Sequence, residues 1–551
     1  MHLWTISGAA AANITSNLNT IVPTMTATLK LPRLDIQALR GLAVLIVVLY
    51  HTKIGNLQAG FLGVDIFFVI SGFLITTLVA TFYLLPTRAW ELLFGSLGAL
   101  WVLSPPNDQY QIISRLIRLL FVPALLCLLV LPFFAVTGNH PGLIAVLVCL
   151  ATLIVILRNS PQLNAALPTR WLALVGDFSY SLYLVHWPVI TLMKNAWVGS
   201  TPELPLEMRM LALLLSFVLA YLLYRLVEDP IRRSRFKLAK PLLSKVALSS
   251  MILISITPLA IQGMPARVDF SEVRKPNFGF AATCDLSTPF VAKGECQSDN
   301  RPNLLVWGDS YAMHLIPGLL REWHSGGVIQ ATASSCGPFL GLAPRRIIHP
   351  GRGTVLNQKW AEGCIAFNQS VIDYLRMAPS IETVVLSSPF AAYVTPENSE
   401  HVLQIGKAFS SVPVRATAAQ AGLQRTVESI RALGKKVVLV APPPSADFDI
   451  GGCLERQISG KIALGGRKGC TVDRAEYQTK RANVLDLLKA VSAAADVSVI
   501  RFDPYLCNAT ECQTMLDGTM IYRDAGHLSY AGSELVAKRV QLGELIRVQA
   551  K

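Results

Sequence analysis

Charge is scarce in this sequence, and cysteine is nearly missing from its first half. Only 15% of the 551 residues are Asp, Glu, Lys or Arg, against 52% hydrophobic ones. That balance excludes a single soluble core and points to membrane spans. The net charge of +14 does not call for nucleic acid, because much of it flanks hydrophobic runs, as in RRSRFKLAK (232–240), where it sets topology. The first thirty residues are polar and rich in Thr, Asn and Ala, without the basic start and apolar core of a signal peptide. They read as a tail, 1–32, with Met25 as an alternative start. No His/Cys group has zinc spacing, so no metal site is expected. The glycine-rich SGKIALGGRKG (459–469) lacks phosphate-loop spacing.

What is present is divided unevenly. Eight apolar runs lie near 38–51, 61–80, 89–103, 113–135, 141–158, 171–193, 209–227 and 243–263. Cys127 and Cys149 sit inside such runs, whereas the other eight cysteines all follow residue 280. Eight cysteines in one soluble half indicate an oxidising compartment and up to four disulfides. Local order suggests Cys284–Cys296, Cys336–Cys364, Cys453–Cys470 and Cys507–Cys512. The basic loop 228–240 belongs in the cytosol. The run 241–263 then crosses outward, and 264–283 reads as a linker to a soluble domain, 284–551. Counting crossings backward from that end places 81–88 outside. Counting forward from a cytosolic N-terminus places it inside. The two counts collide near Ala80–Tyr83.

Within 33–240, Arg40 and His51 are eleven positions apart, about 1,100° of helical rotation, so they share one helix face at heights differing by about 16 Å. A cation near the membrane edge and an imidazole deeper on the same face suit an anionic cytosolic donor and a proton-transfer centre. The bland reading is a flanking arginine and a histidine that ends the span. Arg40 and His51, GVDIFFVISGFLIT (63–76), TRAWELLFGSLGAL (87–100), GDFSYSLYLVHWPVI (176–190) and YRLVEDPIRR (224–233) occur in that order. Together they resemble the acyltransferase-3 family of bacterial integral-membrane O-acyltransferases.

The resemblance implies transfer of an acyl group, usually acetyl from acetyl-CoA, to sugars of a cell-surface polysaccharide such as lipopolysaccharide O-antigen. It also implies a multi-pass protein of the bacterial inner membrane whose C-terminal domain lies in the periplasm. The partners it implies are the bilayer, acyl-CoA as donor substrate and a surface glycan as acceptor, with no bound cofactor. His51 would be catalytic, and Arg40, Asp65 and His186 would serve donor or substrate binding. Asp65 either orients His51 or pairs with Arg88, and His186 either lines a path or simply packs. Relatives carry a longer segment between SGFLIT and TRAWE, so an internal shortening near 78–84, of three spans, would reconcile the two topology counts.

The soluble half reads as α/β. NLLVWGDS (303–310), ETVVLSSPF (382–390), KKVVLVAPPP (435–444) and VSVIRFDP (497–504) are candidate parallel strands, with helical patterns at 415–433 and 474–494 between them. Alternation of this kind implies a doubly wound parallel sheet with its site at the strands' C-terminal ends. Ser310 in GDSYAMHL follows a buried strand, and DAGHLSYAGS offers Asp524 and His527 three apart. A hydroxyl becomes a nucleophile when a base takes its proton, and a carboxylate orients that base. The paired motifs resemble the SGNH hydrolase and acyltransferase family, a known fusion partner of acyltransferase-3 domains. The resemblance makes Ser310 the nucleophile, His527 the base and Asp524 its orienting acid. Gly337 is the oxyanion candidate, and Ser387 or Ser388 stands where relatives often have asparagine.

Overall fold

In this computed structural model the described residues are 33–78, 89–103, 108–135, 142–201, 203–233, 268–286, 289–346, 356–396 and 399–551. The expected tail 1–32, the junction from residue 79 to 84 and the run 241–263 lie outside them. The chain divides into two compact units. One comprises 1–195 with 203–250, and the other comprises 196–202 with 251–551.

The described residues of the first unit are helices and their connections, the longer helices being α1 (Leu34–Thr52), α2 (Leu62–Leu78), α3 (Ala89–Leu103), α4 (Asp108–Val130), α5 (Leu143–Arg158), α6 (Leu167–Asp177), α7 (Ser179–Ala196) and α8 (Leu206–Leu223). Among the described residues, three stretches are long and apolar enough to cross a membrane: Leu34–Thr52, Tyr110–Phe133 and Leu206–Arg233. Leucines exposed along α4 and α8, such as Leu119 and Leu214, fit a hydrocarbon surround. The apolar run 171–193, expected as one span, is two helices parted at Phe178. Small residues pack the chain tightly just before the break. A Cβ on Gly176 would stand 1.9 Å from the carbonyl oxygen of Gln37, and one on Gly41 would stand 2.0 Å from that of Leu172. The backbones of α1 and α6 therefore touch at both glycines, while Ser179 Oγ donates to the Gly176 carbonyl at the break.

The second unit is built on a five-stranded parallel sheet of β1 (Pro302–Gly308), β2 (Gly327–Thr332), β4 (Thr383–Ser387), β7 (Lys436–Val440) and β8 (Val499–Ile500). Their order is β2-β1-β4-β7-β8. The four strands expected from apolar runs are all present. β2 was not expected, because Gln330 and Thr332 break its apolar pattern. Both are buried, and Gln330 Nε2 donates to the Phe278 carbonyl and to Thr332 Oγ1. A further antiparallel sheet, β3 (Leu342–Arg346), β5 (Ser399–Ile405) and β6 (Ala408–Pro413), also went unforeseen. The helix expected at 415–433 is Ala416–Ala432, and that at 474–494 is split into Arg474–Lys480 and Ala482–Ala495.

Helices cover both faces of this sheet, and two apolar clusters flank it, centred on Trp307, Phe339 and Phe367 and on Val306, Ile316 and Tyr522. All four disulfides join the neighbours that local order suggested. The stretch expected to be a linker, 264–283, is instead fixed to this unit from Arg274 on. Arg274 pairs with Asp449 and Glu455, and the Phe278 N–H donates to Tyr530 Oη.

Candidate active site

Ser310 stands where β1 ends, the C-terminal edge at which parallel sheets hold their sites. Gly308, with φ of 155°, ends the strand; a Cβ there would lie 1.8 Å from the Ser387 carbonyl oxygen. No other residue type fits beside β4 in that conformation. Asp309 then caps the short helix Ser310–Met313, accepting from the Tyr311 N–H at 2.9 Å. The Ser310 N–H lies in the first turn of this helix, where donors have no intrahelical partner.

Residues more than 200 positions away complete the arrangement. Ser310 Oγ is 2.9 Å from His527 Nε2, and His527 Nδ1 is 2.9 Å and 3.0 Å from the two oxygens of Asp524. The carboxylate can only accept, so Nδ1 carries the imidazole proton and Nε2 faces the serine hydroxyl as acceptor. Asp524 also accepts from the backbone N–H groups of Gly526 and His527. Burial alone would raise its pKa. The hydrogen bond and charge of His527 and the two N–H donors outweigh burial and hold it well below the usual carboxylate range. The Tyr311 ring packs against His527, 4.6 Å between centroids. The residues expected to act together, Ser310, His527 and Asp524, are thus one hydrogen-bonded chain. Ser310 and His527 line a cleft of about 660 Å³, with Arg346 and Arg481 among its other walls.

The oxyanion expectations fare differently. Gly337 does not line the cleft; Ser335 does. The Gly337 carbonyl accepts from Asn368 Nδ2 at 2.8 Å, and a Cβ there would meet Tyr393 and Ser388. Ser387 Oγ donates to the Val440 carbonyl, and Ser388 Oγ donates to Asp309 Oδ2 at 2.6 Å. Each hydroxyl has one proton, so neither is free for an oxyanion. Asp309, buried completely, is the residue that the motif reading passed over. Burial pushes its pKa up to about 6 against the opposing hydrogen bonds of Ser388 and Tyr311. Its position inside GDS was the available signal.

In the helical unit Arg40 and His51 both face α7. Arg40 shares a cavity with Tyr180 and Tyr183, and the His51 ring meets His186 and Trp187. His51 Nδ1 lies 3.2 Å from His186 Nε2. Asp65 is buried in the first turn of α2, and the hydrogen bond of His51 goes to His186 rather than to it. Arg88, the other partner considered for Asp65, lies outside the described residues. Ser181 Oγ donates to Glu228 at 2.6 Å, joining two motifs that are 47 positions apart.

An apolar helical bundle and a doubly wound α/β domain with a Ser–His–Asp chain define a membrane protein carrying an SGNH-type domain. Family comparison agrees: residues 281–541 match the SGNH domain that is fused to acyltransferase-3 domains, and 76–225 match the acyltransferase domain. The chain belongs to the acyltransferase-3 proteins with a fused SGNH domain. It is similar to O-acetyltransferase OatA of Staphylococcus aureus, 36% identical over 66 residues, which is 12% of this chain and 11% of that protein. Peptidoglycan O-acetyltransferase OatA of Listeria monocytogenes is 51% identical over 47 residues, 8% of each chain. The alignments span only about a tenth of the curated relatives' length. Among solved structures, the Salmonella ser. Paratyphi A lipopolysaccharide acetyltransferase periplasmic domain is 17% identical with a TM-score of 0.31, over 45% of this chain and 86% of that one.

Proposed function

We propose that this protein is a membrane O-acyltransferase that moves an acyl group, acetyl in the first instance, from cytosolic acyl-CoA to hydroxyls of a cell-surface polysaccharide such as lipopolysaccharide O-antigen. On this reading it resides in the bacterial inner membrane with the α/β domain in the periplasm. The observation that carries the reading is the Ser310–His527–Asp524 chain at an open cleft. Membership of the acyltransferase-3 and SGNH families supports it.

The helical unit takes the acyl group from acyl-CoA around Arg40 and His51, with His186 against His51 and Asp65 serving donor binding, and passes it outward. In the α/β domain Ser310 Oγ attacks the acyl carbonyl while its proton moves to His527 Nε2. Negative charge on the carbonyl oxygen falls to the Ser310 N–H. Asp524 holds the imidazolium, which protonates the leaving group. His527 then takes the proton of the glycan hydroxyl as that oxygen attacks the acyl-serine, and returns it to Ser310 Oγ. Water in place of the glycan would make the same chain a tethered esterase.

The test is to incubate the detergent-solubilised chain with an activated acetyl ester, with and without glycan, and locate acetyl by mass spectrometry. Acetyl on the Ser310 peptide that is discharged to glycan supports transfer. Discharge to water at the same rate with glycan present identifies an esterase, and no Ser310 adduct would refute the role of this site.

A further inference from the structure

The His51–His186 contact carries a chain of protonation that can be read from one end. His186 Nδ1 lies 3.1 Å from the Leu182 carbonyl oxygen. That oxygen can only accept, so Nδ1 carries a proton. His186 is 2% exposed within the apolar bundle, where a cation is expensive. The pair is also bordered by cations, since Lys53, Lys194 and Arg209 line a small cavity beside His51, with Glu203 the one acid on that wall. His186 is therefore neutral, and its Nε2 is a bare lone pair. His51 Nδ1, 3.2 Å away, must be the donor. A neutral imidazole has a single N–H, so Nε2 of His51 is unprotonated, and among the described residues it has no hydrogen-bond partner. Trp187 and Tyr50 pack against the ring, at 4.8 Å and 5.3 Å between centroids.

We propose that His186 is a positioning residue that locks His51 in the Nδ1–H tautomer, so that Nε2 is the atom that accepts a proton in acyl transfer. The inference rests on the reading that the membrane half takes acyl groups from acyl-CoA at His51. When a hydroxyl attacks the thioester carbonyl, a C–O bond forms and the C–S bond breaks. The hydroxyl proton passes to His51 Nε2 and from there to the departing thiolate. While His51 is cationic, its Nδ1–H bond to His186 shares the charge. His186 thus plays towards His51 the part that a carboxylate plays in a soluble triad, without placing an anion in the bilayer.

The test uses the full chain in lipid nanodiscs with nitrogen-15 histidine, the His51 signals being assigned by their loss in His51→Gln. The expected wild-type spectrum shows His51 with a protonated Nδ1 and a bare Nε2. In His186→Asn the amide can keep the Leu182 contact but cannot reach His51, and His51 reverts mainly to the Nε2–H form of free imidazole. In His186→Gln an amide oxygen replaces Nε2 as acceptor, and the Nδ1–H form returns. A protonated Nε2 in the wild type, or no change in His186→Asn, overturns the proposal. Acetyl transfer from acetyl-CoA, measured beside the spectra, should fall about 10²-fold in the Asn variant and recover to within about tenfold in the Gln variant. If the spectra behave as expected but transfer follows neither variant, the tautomer stands and the placing of the transfer centre at His51 fails.

Discussion

Replacing Asp524 by Asn is the sharpest perturbation of the α/β site, because it alters charge and proton position while keeping shape. Asp524 accepts from His527 Nδ1, from two backbone N–H groups, and lies 3.4 Å from Arg523. The backbone donors to Oδ1 keep the amide oxygen on their side. The NH₂ group then occupies the Oδ2 position, 2.9 Å from Nδ1, and can only donate. His527 Nδ1 then meets an amide donor at the Oδ2 position beside the amide oxygen at 3.0 Å, which favours the form that accepts at Nδ1 and carries its proton on Nε2, where it can no longer take one from Ser310. The wrong tautomer and the lost carboxylate together should lower turnover by about 10³- to 10⁴-fold. The fold should survive, because the shape and both backbone contacts remain. The assay is release of a chromogenic acetyl ester by the solubilised chain, with far-ultraviolet circular dichroism as the fold control. Activity within tenfold of wild type, with the fold intact, would refute the reasoning.

Asp309 gives a pH signature. Its folded value near 6 lies above its ordinary 3.8, so folding favours the protonated form. That stabilisation is complete below pH ~4, is lost as pH rises through ~6, and amounts to about 3 kcal/mol. Asp309→Asn should therefore melt higher than wild type at pH 8 and close to it at pH 4.5, while losing activity through the displaced Ser310 turn. The Cys336–Cys364 disulfide closes a loop 28 positions long, so replacing both by serine should lower stability by about 3–4 kcal/mol, read from urea melts of the α/β signal. Gly41→Val would drive a side chain into the Leu172 carbonyl, and loss of folded protein from the membrane fraction is the expected result.

Local chemistry was legible in the sequence and long-range chemistry was not. The four strands showed because each is a short apolar run at its own place, and the disulfides showed because each of the eight cysteines after residue 280 pairs with its nearest neighbour. That Ser310, Asp524 and His527 come together was legible from their two motifs, although nothing in their spacing gave a 2.9 Å contact across 217 positions. β2 stayed hidden because Gln330 is satisfied by Phe278 and Phe280 and Thr332 by the Cys284 carbonyl, which only the fold brings near. Ser388 was assigned by its place in a motif order, whereas the destination of its one proton, Asp309, is a tertiary fact. The break at Phe178 falls inside the apolar run 171–193, and the contact of Gly176 with the Gln37 backbone beside it is a tertiary fact. His186 stayed undecided for the same reason, its partner being 135 positions away.

The central claim is that one chain passes an acyl group from a membrane site to a serine and on to a glycan. The direct measurement is transfer of labelled acetyl from acetyl-CoA to surface glycan in cells making the full chain, beside His51→Ala and Ser310→Ala. The account predicts label on glycan in the wild type and none in either variant. Label that persists without Ser310, or Ser310-dependent ester cleavage with no transfer from acetyl-CoA, would contradict it.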